Sequence, residues 1–122
     1  NLVLGLNRAA LAEGLVYAAS QGISPSAALE VLRGSPAYSR QMDTKGSKML
    51  ASDYTVQARL TQHLKDVRLI LETAAQSGLS LTLTAAHQQL LERAEILGFG
   101  AADNSAVIEA VRAGLQSDVT SH

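Results

Sequence analysis

At 122 residues, with 47% apolar and 17% charged side chains, the chain is long and apolar enough to bury one real core and too apolar to be disordered. Lys and Arg number 10 against 11 Asp and Glu, with no basic run, which argues against nucleic acid or an anionic lipid surface as partner. Cysteine is absent, excluding disulfides, thiol catalysis and thiolate metal sites and fitting a cytoplasmic protein, while an aromatic share of only 3% beside abundant Ala and Leu favours helix over sheet.

The first segment, Leu2 to about Gln21, is apolar on nearly every side and is broken only by Asn7, Arg8 and Glu13. A helix of roughly 20 residues is about 30 Å long, the width of a small domain. An apolar circumference predicts a central helix or one shared with a second subunit. Gly22 is placed to end it in the left-handed conformation. "ISPSAALEVLRG" then predicts a short second helix, with Ser24 as N-cap, Pro25 at the first helical position and Gly34 as terminator. "SPAYSRQMDTKGSKMLAS" opens in the same way at Ser35 and Pro36 and predicts a third, with Tyr38, Met42, Met49 and Leu50 on an irregular apolar face and Gly46 weakening its middle.

"DYTVQARLT" reads as a connector into a fourth helix, "QHLKDVRLILETA", where Leu64, Val67, Leu71 and Ala74 form one stripe and Gly78 stops the helix. Lys65 and Asp66 stand side by side near its start, pointing about 100° apart, too divergent for an intrahelical pair. The bland reading of this dipeptide is a solvated helix start with Asp66 favoured by the dipole. A fifth helix is predicted over Leu81 to Leu97, with Leu83, Ala86, Leu90 and Ala94 in register, and a sixth after "GFGAADNS", capped by Asp103 or Asn104 and packed through Val107, Ile108 and Val111. Residues 114–122 read as a polar tail. The expected architecture is all-α, a compact bundle of about six helices over residues 1–113 with a long apolar first helix.

No GxGxxG loop, P-loop or HExxH motif is present. His63, His87 and His122 share no helical face, so no metal site is expected from them. The charge-free run Thr73 to Leu91 is too polar to span a bilayer, and no secretory leader is expected at the N-terminus.

"LKDVRLILETA" resembles the Lys-Asp-x-x-Leu-x-(Leu/Ala)-x-x-x-Ala segment in the C-terminal domain of the β-hydroxyacid dehydrogenases, the family of 3-hydroxyisobutyrate dehydrogenase and tartronate semialdehyde reductase. "NLVLGLNRAALAEGLVYAASQGISPSAALEVL" is similar to the family's long interdomain helix, with the Ala12–Glu13 pair and the turn after it. "SGLSLTLTAAHQQLLERAEILGFG" and "GFGAADNSAVIEAVR" resemble its Leu-Pro-Leu-Thr segment and its closing Gly-x-x-x-x-Asp-x-Ser-Ala signature. The four stretches follow in order over nearly the whole chain.

The resemblance implies a 6-phosphogluconate dehydrogenase C-terminal-like fold. It also implies a parent enzyme whose Rossmann domain, missing here, holds NAD or NADP; no cofactor is expected on this chain by itself. Asn1 matches the final residue of the family's Lys-x-x-x-Asn motif, which puts the catalytic Lys four residues upstream. The chain thus looks like a truncated or dissected enzyme, inactive without the Rossmann domain. Carried over, Lys65 faces the cofactor cleft, Asp66 orients or charge-balances the upstream Lys, and Asn1 holds a substrate oxygen. "QARLTQH" departs from the family in being polar; Arg59 there either grips a substrate carboxylate or is an exposed helix-start cation. Glu13 is expected to be a structural carboxylate, Asn7 a polar contact near a subunit interface, and Tyr38 and Tyr54 packing residues with their hydroxyls at a polar boundary.

The expected function is therefore the substrate-side and oligomerisation domain of an NAD(P)-dependent dehydrogenase acting on a small hydroxy acid, forming a homodimer or larger homo-oligomer. The alternative is a catalytically empty helical interaction domain derived from the same family.

Overall fold

The computed structural model describes the backbone of residues 1–120 and the side chains of residues 1–114. Helix α1 spans Leu2–Ser20, α2 Pro25–Arg33, α3 Gln41–Thr44, α4 Gly46–Ala51, α5 Leu60–Gln76, α6 Thr82–Ala94 and α7 Val107–Thr120. A π-helical turn, Glu95–Phe99, follows α6, and a 3-10 turn, Asn104–Ala106, leads into α7. Among the described residues the fold is all-α, as predicted, and extended pairing is limited to one isolated bridge between Arg59 and Asp103. The predicted polar tail lies largely outside the described side chains.

α1 is the central post. Leu11, Ala12 and Leu15 are buried, and the helix packs against α2, α3, α5, α6 and α7. By length and composition it could cross a membrane, but 44% of that stretch is buried within the bundle. It ends where predicted, with Gly22 at φ +80°. α2 also follows its sequence signals: the Ser24 hydroxyl accepts from Ala27 N at 3.4 Å and Pro25 is the first helical residue.

The predicted third helix is instead two short ones. Ser35 and Pro36 open only a turn, and the chain breaks at Lys45. The reason is local packing: a Cβ on Gly46 would meet Leu29 at 2.8 Å, so the backbone of α4 presses directly against α2. At the same break the Lys45 side chain turns into the protein, where it is 6% exposed. Met42 and Met49 are buried as expected, whereas Tyr38 is exposed and donates its hydroxyl to Asp43.

α5 buries Leu64, Val67 and Ala74 with Leu71 half-buried, the predicted stripe. α6 does not keep its predicted register. Leu83 is 70% exposed, and the buried line is Thr84, His87, Leu91 and Ala94. The leucine face instead joins Val3, Leu6 and Ala10 of α1 in an open apolar groove of about 450 Å³. Gly98, at φ +99°, releases the chain from the π-turn into the loop before α7. Val107 and Ile108 are buried, and Tyr54 packs edge-on to Phe99 while its hydroxyl donates to Glu109. Glu13 is exposed and makes no ion pair among the described residues, so the expected structural role is not fulfilled there.

Candidate functional site

The start of α1, the first turn of α5 and the loop before α7 enclose a polar cleft of about 260 Å³, lined by Asn1, Arg8, Arg59, His63, Asp66 and Asn104 together with Leu4, Ala58 and Gln62. Asn1, Arg59 and Asp66 are thus brought together although 58 and 7 positions apart in the chain. Lys65 does not line the cleft; it is exposed on the adjoining flank of α5 and makes no ion pair among the described residues. Asp66 is half-buried and accepts a long hydrogen bond, 3.4 Å, from Gln62 Nε2 one turn earlier.

What joins these segments is Asp103, fully buried beneath the cleft. Its Oδ1 accepts from the backbone N–H groups of Gln57, at 2.9 Å, and Ala58, at 3.0 Å. Its Oδ2 accepts from Ser105 N at 3.0 Å and Ser105 Oγ at 2.6 Å, and Lys45 Nζ reaches both oxygens at 3.0–3.1 Å. Backbone bonds from Asn104 N to Ala58 O, 2.8 Å, from Leu60 N to Ala102 O, 2.9 Å, and from Thr61 N to Gly100 O, 2.9 Å, complete the stitching. Burial works to raise the Asp103 carboxyl, but donors from Ser105, Ala58 and Gln57 outweigh it and hold it well below the usual carboxylate range. Burial lowers Lys45, and Asp103 partly restores it. Asp103 is therefore a positioning residue: it fixes the backbone that presents Arg59 and Asn104. The sequence offered it as a helix cap, which it is, accepting from Ser105 N, but Lys45 as its partner carries no local signal at a separation of 58 residues.

Behind the cleft lies a second buried cluster. Gly5 faces the rings of His63 and His87; a Cβ there would stand 2.4 Å from His63 Nε2 and 2.8 Å from His87 Cε1. The two rings lie 5.2 Å apart between centroids, on different helices, and both Nε2 atoms are buried without a partner among the described residues. Burial, reinforced by the nearby Arg8, pushes both down to about 4, so both are neutral at pH 7. No third His, Cys, Asp or Glu joins them in a metal-binding group among the described residues. Arg8 itself is 6% exposed; its Nε donates to Gln41 Oε1 at 3.0 Å and its Nη1 is buried without a partner among the described residues. Sequence reading passed over Arg8, His87 and Asn104 because each sits in a stretch whose spacing points only to packing or capping.

Residues 1–111 match the family model described as NAD-binding of NADP-dependent 3-hydroxyisobutyrate dehydrogenase. Glyoxylate/succinic semialdehyde reductase 1 of Arabidopsis thaliana is 34% identical over 112 residues, 92% of this chain and 39% of the relative. Cytokine-like nuclear factor N-PAC of Aedes aegypti is 34% identical over 111 residues, 88% of this chain and 20% of that protein. The crystal structure of 3-hydroxyisobutyrate dehydrogenase from Salmonella typhimurium superposes with a TM-score of 0.84 at 28% identity, covering 88% of this chain and 38% of the other. The chain spans at most about two fifths of the length of these relatives.

Proposed function

That this chain belongs to the β-hydroxyacid dehydrogenase family is the premise from which we propose that it is the helical C-terminal domain of an NAD(P)-dependent oxidoreductase. It acts on a small β-hydroxy acid or its semialdehyde, with succinic semialdehyde, for which the Arabidopsis thaliana relative is named, as the case one carbon longer, in a cytoplasmic homodimer or larger homo-oligomer, and is inactive without a Rossmann domain. The observation that carries the reading is the convergence of Asn1, Arg59 and Asp66 on one small cleft with Lys65 on its flank. A cleft of about 260 Å³ suits a small acid and falls below the roughly 300–1,000 Å³ of drug-sized ligand sites, so the dinucleotide must lie mostly outside it.

Bound NAD(P) supplies the hydride-transfer chemistry. The chain's residues divide the other duties. Asn1 holds the substrate's alcohol or carbonyl oxygen through its amide, one helical turn beyond the proton-donating Lys expected upstream. Asp66 faces that Lys and keeps it protonated and oriented. Arg59, exposed at the mouth of the cleft, draws the substrate carboxylate in. Lys65, exposed and without an ion pair among the described residues, fits the cofactor: its ammonium is available to an anionic or carbonyl group of the dinucleotide.

The test is kinetic, in the full-length parent with its Rossmann domain, using succinic semialdehyde and NADPH. Lys65→Ala should raise KM for NADPH roughly tenfold with little change for the aldehyde, and Asp66→Asn should lower kcat by about 10- to 100-fold. The chain alone should turn nothing over. Wild-type kinetics in both variants would sink the assignment of these roles.

A second reading, a catalytically empty interaction domain, draws support from the N-PAC relative, named as a nuclear factor. The sequence upstream of Asn1 separates the two: a glycine-rich βαβ unit ending in Lys-x-x-x-Asn favours the enzyme, and its loss favours the scaffold.

A further inference from the structure

The cleft holds more positive charge than it balances. Arg8 and Arg59 both line it, against the single carboxylate of Asp66, and neither Arg is in an ion pair among the described residues. Arg59 is exposed and solvated. Arg8 is not: it is 6% exposed, and among the described residues its one hydrogen bond goes to the neutral Gln41 amide and Nη1 is left over. A buried guanidinium normally finds a carboxylate or phosphate for its fork of donors. The carboxylate whose charge acts on Arg8, Asp103, makes no direct contact with it among the described residues and is engaged by Lys45, Ser105 and two backbone N–H groups. His63 and His87, beside Arg8, are neutral and offer no counter-charge.

Position on the helix adds a direction. Asn1 and Arg8 are seven residues apart, which brings them to the same face of α1 about 10 Å apart along the axis. Helical side chains lean towards the N-terminus, so the guanidinium closes part of that distance towards Asn1. Gly5 lies between them and contributes no side chain. Asn104 Oδ1, on the same cleft, is also buried without a partner among the described residues, and turning its amide over presents two N–H donors there.

We infer that Arg8 anchors a carboxylate at the end of the substrate remote from the reacting carbon. The substrate class is then an acid of about four carbons, with the reacting hydroxyl or aldehyde at one end near Asn1 and the carboxylate at the other. Two-carbon acids reach only one end of the cleft. This substrate class rests on the dehydrogenase reading above, but the anchor itself is a property of this chain.

The test is an NMR titration of the ¹⁵N-labelled chain with 4-hydroxybutyrate, with 1,4-butanediol, which lacks the carboxylate, and with glycolate, which is too short. 4-Hydroxybutyrate should bind at least tenfold more tightly than either and shift the Arg8 Nε–Hε resonance. Arg8→Met should erase the preference, and Arg8→Lys, which keeps the charge without the fork, should retain part of it. Thermal melts of both variants establish that they are folded, and the Lys variant carries the test should the Met variant not fold. Equal binding of the three compounds, or an undiminished preference in folded Arg8→Met, overturns the anchor. Displacement of 4-hydroxybutyrate by inorganic phosphate at lower concentration also overturns it and makes the site one for a phosphate group. The Lys65 and Asp66 kinetics in the full-length parent are a separate readout. Their success beside a failed titration removes the anchor alone, and the reverse pattern leaves an acid-binding domain without the dehydrogenase role.

Discussion

A single carboxylate, Asp103, holds three stretches of chain in register, and its loss has a calculable direction. Asp103→Asn leaves the Lys45 ammonium buried without its counter-charge and weakens the grip on Gln57 and Ala58. Urea unfolding should show a loss of about 3–5 kcal/mol; a loss under 1 kcal/mol would mean that the charge contributes little. The histidines set a pH dependence of defined sign. Each has a folded pKa lowered to about 4 from an ordinary 6.5, so the unfolded chain takes up protons first as pH falls. Their contribution is fully present above about pH 6.5 and is lost as pH falls towards 4, up to roughly 3 kcal/mol for each. Unfolding free energies at pH 7 and pH 4.5 should therefore differ clearly, and His87→Leu should flatten the difference; an unchanged slope in the variant would assign it to other groups. At this scale the sequence was only half readable. Of the residues that line the cleft, Asn1 and Asp66 were singled out through the family's motifs and Arg59 at a departure from them. Arg8 and His87 were not, because their importance arises from burial against residues of other helices.

Among the elements, α1, α2 and α5 were legible because their punctuation is local: Ser24, Pro25, Gly22 and Gly78 each act on the backbone at their own position. α6 was misread for a physical reason. A periodic count assigns leucines to the inside, whereas this helix buries Thr84, and sets His87 in the room that Gly5 leaves on α1. Leu91→Ala should accordingly cost about 2–5 kcal/mol as a core deletion, and Leu83→Ala under about 0.5 kcal/mol. Comparable losses at both positions, by thermal or chemical unfolding, would contradict the observed register. Gly46 marked the weak point of the predicted third helix, but the break into α3 and α4 was not foreseen, since the packing of Leu29 against Gly46 comes from another helix.

At the level of the whole molecule, the bundle leaves a seam of leucine and valine between α1 and α6, including Val3 at 65% and Leu83 at 70% exposure. Contiguous apolar surface of this kind on a soluble domain marks an interaction face. Light scattering at micromolar concentration should report a dimer or larger oligomer, and Leu83→Asp should shift it to monomer without lowering the melting temperature of the monomer. A monomeric wild type would remove self-association from the proposal. The helical class and the family were visible at this scale because four separated stretches agreed in order; the placement of the apolar face was not, since it follows from the α6 register.

The stitching around Asp103 also has a temporal meaning. The cleft takes its walls from the first residue of the chain, from its midpoint and from the loop before its last helix, so no fragment contains a nearly complete site. The N–H groups of Leu60 and Thr61, bonded to Ala102 and Gly100, are broken only when the two halves of the chain separate. Their hydrogen exchange should proceed through global opening alone, at the free energy of whole-chain unfolding. Occupation of the cleft by the proposed ligand would thereby be an all-or-none report that these distant stretches have folded together.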